Sequence, residues 1–167
     1  TGFTGGINLA DEYINKIDKY GHWKDSGIMI KGEAVWNMTV MFLSMWQYLK
    51  GSNEDINNYK TDICSSVKEV EKDGYIQPFS DSPLDNEAVG EIVYLNLINK
   101  AQDYVYITTP YLILDNEMVT ALTSAAKAGV DVRIITPYSP DKWYVHLVTR
   151  SYYKVLLDPV RDRALAL

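Results

Sequence analysis

The chain has 167 residues, enough for one compact domain or one large piece of something bigger, and its 47% hydrophobic and 23% charged residues exclude a disordered or fibrous chain. Lys and Arg number 16 against 22 Asp and Glu, a net charge of -6, and neither half is a basic arm. Nucleic-acid binding is therefore disfavoured, because phosphate neutralisation supplies most of that affinity.

Thr1 to Ile7 is rich in glycine (Gly2, Gly5, Gly6), and Asp11-Glu12 follows where a first helical turn favours negative charge. A loop leading into a short helix near Leu9 to Ile17 is expected. Ser26 to Lys31 alternates as a strand that Gly32 ends. From Glu33 to Lys50 the pattern is helical, with end charges that complement the helix dipole and Gly51 just past the end. The apolar run Ala34 to Leu49 inside it is interrupted by Asn37, Thr39, Ser44 and Gln47. It falls short of the roughly 20 residues a bilayer span needs, so a core helix is expected. Gly51 to Asp62 turns polar and reads as a surface connection and linker.

Ser82-Pro83-Leu84-Asp85 has the form of a capping box with Pro at the first helical position, opening a helix to about Gln102. Tyr104 to Thr109 is a strand stopped by Pro110. Asp115 reads as the N-cap of a helix through Lys127, closed by Gly129, and Val130 to Thr136 is the next strand, stopped by Pro137. Strand, helix, strand over this length is a βαβ unit, so the fold class is α/β with parallel pairing. A long helix from about Asp141 to Leu157 follows. Thr109-Pro110-Tyr111 and Thr136-Pro137-Tyr138 end the two strands alike, and ligands of open α/β sheets sit at that edge.

Few residues could carry chemistry. The single cysteine, Cys64, excludes an internal disulfide or a cysteine-rich zinc site, fits a reducing compartment, and reads as a small buried apolar residue. His22-Trp23-Lys24 has the form H-x-K, but completing H-x-K-x4-D needs Asp where Met29 stands; His146 has no Lys two residues on. Both read as packed or surface histidines. No Gly-x-Ser-x-Gly, phosphate loop or zinc spacing occurs. The first residue is not Met and no signal peptide is present, so an internal start is expected.

The stretches Thr4-Gly5-Gly6-Ile7-Asn8-Leu9-Ala10-Asp11-Glu12-Tyr13-Ile14, Gly21-His22-Trp23-Lys24-Asp25 and Ile30-Lys31-Gly32-Glu33-Ala34-Val35-Trp36 closely resemble the bacterial cardiolipin synthase branch of the phospholipase D superfamily. Gly5, Gly6 and Asn8 match its Gly-(Ser or Gly)-x-Asn element. Thr109 to Asp115, Ala125 to Arg133 and Ser151-Tyr152-Tyr153 resemble the opening of the family's second half. The resemblance covers about Thr1 to Leu157 and is weakest between 50 and 80. It departs at Leu114, where Pro is expected, around Ser80 to Pro83, and over Asp158 to Leu167, set aside as a tail of foreign or frame-shifted origin.

The resemblance implies a phospholipase D-like α/β/α layered fold with a largely parallel or mixed sheet, of which this chain is a piece. Residues 1–50 would end the first half, 51–75 would link, and 76–157 would begin the second. Family members use one H-x-K per half; a histidine forms a phosphohistidine and the other protonates the leaving alcohol. Both motifs would lie outside these residues, leaving no catalytic residue within the chain. The reaction implied joins two phosphatidylglycerol molecules into cardiolipin and glycerol, with no metal or other cofactor. Asn8 would donate to a phosphoryl oxygen, Gly5 and Gly6 would allow close backbone approach, and Asp25 would orient a catalytic histidine. Tyr111 and Asp115 are weaker candidates, as an edge residue and a cap. The parent protein would sit in the bacterial cell membrane through segments outside this chain, the piece itself being soluble and binding no nucleic acid. Hydrolysis of a phosphodiester and a non-catalytic interaction module are the alternatives.

Overall fold

Tyr104–Thr108 (β3) and Asp131–Ile135 (β4) alternate half-buried with exposed residues and pair in parallel, Tyr104 opposite Asp131 and Thr108 opposite Ile135. Parallel strands need a crossover, supplied here by the helix Asn116–Lys127 (α3). The computed structural model describes residues 1–60, 74–82 and 86–164, without the side chains from 159 on. Cys64 and residues 83–85 of the expected capping box lie outside them.

The chain divides into two compact units, Thr1–Asp18 with His22–Asp85, and Lys19–Gly21 with Asn86–Leu167. The first holds Gly2–Gly5 (β1) and Gly27–Ile30 (β2), paired antiparallel, then the helix Ala34–Lys50 (α1) and a 3-10 turn at Ile56–Tyr59. The second holds Val89–Lys100 (α2), β3, α3, β4 and Trp143–Ala164 (α4). The class is mixed α/β, with one two-stranded antiparallel and one two-stranded parallel sheet among the described residues.

Four expectations need correction. Gly2–Gly5 is a strand rather than a loop, because glycine lets the hairpin strands approach closely. Leu9 to Ile17 is a series of turns and no helix: Tyr13 N–H donates to Ala10 O and Asn15 N–H to Glu12 O. Asn15 adopts φ 58° there, and its side-chain amide exchanges two hydrogen bonds with the Trp23 backbone, at 2.7 and 2.6 Å. That amide pairing competes with a helical ladder. The helix expected from Ser82 begins at Val89, since Asn86 adopts φ 58°, outside the right-handed helical region. At the other end α4 runs past Leu157 to Ala164, where good helix formers sustain it despite Pro159.

The strands expected near 26–31, 104–109 and 130–136 and the helices near 33–50 and 115–127 form close to their expected bounds. Asp115 caps α3 by accepting from Met118 N–H at 2.7 Å, and Gly129, at φ 101°, closes it. α1 covers the expected residues, but as a core helix it is poorly buried. Leu43 is its one buried residue, while Phe42, Met45, Trp46 and Leu49 stay exposed. A sheet of two four-residue strands has too little surface to cover a helix apolar on most sides.

The core of the second unit is Ile98, Ala121, Leu122, Ala125 and Val130, against which Val105, Ile107, Val132, Ile134 and Leu156 pack. On the opposite face of the strands the polar residues pair across the register. Arg133 forks onto Asp131, Nε at 3.1 Å and Nη2 at 2.8 Å, and Tyr106 donates to Asp131 at 2.8 Å. Arg133 and Tyr106 both hold the Asp131 carboxyl below its ordinary value.

Replacing Asp115 by Ala should destabilise the chain by about 1 kcal/mol in urea denaturation, the usual worth of an N-cap. Asp131 has a depressed folded pKa, so its contribution is present above the ordinary carboxyl value and fades as pH falls through the folded one. The stability difference between the parent chain and Asp131→Asn should therefore be at its full size near neutrality and shrink as pH falls below the ordinary value of 3.8 towards the lower folded pKa, read by urea denaturation at a series of pH values.

Candidate functional site

Gly5 ends β1 and faces Gly27 in β2. A Cβ on Gly5 would stand 2.8 Å from Ser26 O and 3.1 Å from Gly27 Cα, both backbone atoms, so only glycine permits this approach. A Cβ on Gly6 would lie 3.3 Å from Asp25 Oδ1. The Asp25 carboxylate is held by Ser26 N–H, donating at 2.8 Å, and by the Trp23 indole N–H at 3.3 Å. Trp23 is itself fixed, edge-on to Tyr13 at 4.7 Å and tied to Asn15. The strand end thus brings Gly5, Gly6 and Asp25 together, and Gly5 and Asp25 line with Phe3, Ile7 and Met29 an open hollow of about 570 Å³.

Asn8 follows two residues after Gly6. Its carbonyl accepts from Ala10 N–H at 3.1 Å, and its exposed side-chain amide has no hydrogen-bond partner among the described residues. Chemically this end offers a fixed carboxylate, a free amide and bare glycine backbone. His22 is exposed and His146 half-buried, and neither stands with a lysine two residues on in a completed motif. Among the described residues no group of His, Cys, Asp and Glu is placed to hold a metal ion. No described helix is long and apolar enough to cross a membrane.

In the second unit, Tyr111 and Asp115 occupy the corner after β3. Asp115 serves as the cap of α3. Tyr111 donates its phenol to Asp141 Oδ2 at 2.6 Å, and Lys142 Nζ lies 5.0 Å from its ring centre. Donation to Asp141 pushes the phenol above its ordinary pKa, burial adds to this and Lys142 opposes it; the phenol in turn holds Lys142 above its usual value.

Both corners at this edge are pinned by α4. Thr149, 1% exposed, accepts from Leu112 N–H at 3.1 Å. Tyr152 donates to Leu114 O at 2.8 Å, and Tyr153 shares a 2.7 Å hydrogen bond with Thr136. Leu114, which stands where the resemblance expected Pro, contributes through that carbonyl. Sequence reasoning missed Thr149, Asp141 and Lys142. Their signal was the spacing of Thr149, Tyr152, Tyr153 and Leu156, one helix face carrying hydroxyls beside an apolar anchor.

The second unit is a parallel βαβ unit whose carboxyl-edge corners are stitched to the next helix. Residues 94–161 match the family model described as "Cardiolipin synthase, PLD-like domain". The match runs four residues past Leu157, into the segment set aside as a tail.

Similarity to particular proteins extends over nearly the whole chain. The cardiolipin synthase of Alkalihalophilus pseudofirmus is 36% identical over 157 residues, 94% of this chain and 31% of that protein. Cardiolipin synthase 2 of Bacillus anthracis is 36% identical, again over 94% of this chain and 30% of its own length. A Streptococcus mutans protein described as uncharacterized is 51% identical over 93% of this chain and 33% of its length. The chain spans about a third of the length of these relatives. No solved structure matches it significantly.

Thr149→Val, isosteric but without the hydroxyl, should cost about 1–3 kcal/mol in urea denaturation by leaving the buried Leu112 N–H unpaired, and Thr149→Ser should restore most of it. A valine variant as stable as the parent would show that the bond does not hold the corner.

Proposed function

We propose that this chain is the middle portion of a cardiolipin-synthase-type phosphatidyltransferase, residues 1–50 completing one phospholipase D-like half, 51–75 linking, and 76–157 opening the other in an α/β/α layered fold. The observation that carries this reading is identity of 34–36% to cardiolipin synthases over 94% of the chain, with Gly6 of the Gly5-Gly6-x-Asn8 element lying beside Asp25.

In this reading a histidine of the longer polypeptide attacks the phosphorus of phosphatidylglycerol. A P–N bond forms, the P–O bond to glycerol breaks, and a second histidine gives its proton to the leaving alcohol. The hydroxyl of a second phosphatidylglycerol then reverses the process, loses its proton to that same histidine, and releases cardiolipin. Asn8 donates to a phosphoryl oxygen through its unpartnered amide. Gly5 and Gly6 keep the space above the hairpin end clear of side chains. Asp25, already fixed by Ser26 and Trp23, accepts from the far nitrogen of a catalytic imidazole and holds its orientation. Membrane attachment belongs to segments outside these residues.

The test is the natural reading frame extended on both sides and supplied with phosphatidylglycerol vesicles. Cardiolipin and glycerol should form, and Asn8→Ala and Asp25→Ala should each lower turnover by about 10- to 1,000-fold, the range for a transition-state donor or an orienting group. The 167-residue chain alone should give no turnover. Phosphatidic acid in place of cardiolipin would assign hydrolysis. Turnover by the short chain, or absence of an upstream H-x-K-x4-D motif, would overturn the reading.

A further inference from the structure

The two corners at the carboxyl edge of β3 and β4 bring a phenol, a carboxylate and an ammonium together. Tyr111 comes from the first corner; Asp141 and Lys142 come from the second, at the start of α4. Tyr111 is bonded to Asp141 Oδ2 at 2.6 Å and lies under Lys142 Nζ, 5.0 Å from the ring centre. Asp141 Oδ1 has no hydrogen-bond partner among the described residues. Lys142 is exposed, and Tyr111, Asp141 and Tyr144 all favour its charged form.

We infer that Tyr111, Asp141 and Lys142 form a subsite for a glycerophosphate group, with Lys142 taking a phosphate oxygen and Asp141 Oδ1 accepting from a glycerol hydroxyl. The chemistry of the two charged groups selects such a ligand. A carboxylate repels phosphate and an ammonium attracts it, so a bare phosphate gains on one side and loses on the other. A ligand with an anionic and a hydroxylic end gains on both. Tyr111 is a positioning residue: one phenol fixes the carboxylate rotamer and offers its ring to the ammonium.

The scaffold is rigid enough to hold such a geometry. Thr109 N–H donates to Ile135 O at 3.0 Å, tying the first residue past β3 to the last residue of β4. Thr109 Oγ1 bridges the Tyr111 backbone, with distances of 3.1 and 3.3 Å. Thr149 and Tyr152 hold Leu112 and Leu114, the residues that follow. Preorganisation of this kind lowers the ordering cost of binding. The edge is also where open α/β sheets receive ligands.

A lipid headgroup as the source rests on the phosphatidylglycerol reading above; the glycerophosphate chemistry does not. The test titrates the ¹⁵N-labelled 167-residue chain with glycerol 3-phosphate and, separately, with inorganic phosphate. Glycerol 3-phosphate should shift backbone amides at 111 and 141–143 and bind more tightly than inorganic phosphate. Lys142→Met should weaken it about tenfold, the worth of a charge-assisted hydrogen bond. Asp141→Asn should weaken glycerol 3-phosphate several-fold while leaving inorganic phosphate as tight or tighter. Circular dichroism confirms that each variant is folded, and Lys142→Arg should keep binding.

Unshifted amides at these positions, or equal affinity for the two ligands unaffected by Asp141→Asn, would overturn the subsite. In a second arm, phosphatidylglycerol vesicles should bind the chain better than phosphatidylcholine vesicles, in competition with glycerol 3-phosphate. Binding of the soluble ester alone would overturn the lipid source. Binding by the short chain without cardiolipin formation by the extended one would sink only the transferase reading, and the reverse only the subsite.

Discussion

Two adjacent parallel strands cannot be joined by a tight turn, and much of the second unit follows from that constraint. The chain must leave β3 at its carboxyl end, return through α3, and lay down β4 in the same direction. Both strands then stop at one edge, each at a Thr-Pro-Tyr corner, because proline has no N–H to continue a ladder. The corners leave backbone groups that neither strand can satisfy. α4 satisfies them from above with Thr149 and Tyr152, while Leu156 on the same helix anchors to the core. Polar groups buried by that anchoring must be paired or they cost stability, so the hydroxyls and the apolar residue belong to one solution.

That arrangement has a chemical consequence. With the corners immobilised, Tyr111 meets Asp141 and Lys142 across 30 residues of sequence. A carboxylate and an ammonium then share one phenol at this corner, the first as acceptor of its hydroxyl and the second near its ring. The hairpin end of the first unit is built differently. There glycine removes side chains, Asp25 is fixed by its own neighbours, and the Asn15 amide substitutes for a strand partner of Trp23. One site is made by adding groups to rigid corners, the other by clearing space beside a held carboxylate.

The two units differ in what supports them. The second has a continuous core of five buried residues with strands and helices around it. In the first, Ile30 and Leu43 are the buried hydrophobics among the described residues, and α1 keeps Phe42, Met45, Trp46 and Leu49 exposed. A two-stranded sheet is marginal on its own.

By itself the sequence determined the local elements whose signals are short-range. Asp115 and Gly129 bracket α3, proline stops the strands, and the β-rich runs at 104–109 and 130–136 around one helix require a parallel pair. It also carried the resemblance to cardiolipin synthases, through the Gly5-Gly6-x-Asn8 element and the corners. Only the tertiary structure decided that glycines 2 and 5 lie in a strand, that Asn15 and Asn86 take left-handed backbone where helix was expected, and that Thr149, Asp141 and Lys142 matter. The reason is physical: caps and breakers act within a few residues, whereas close strand approach, side-chain mimicry of backbone and pairing across 30 or more positions depend on neighbours that local sequence does not name.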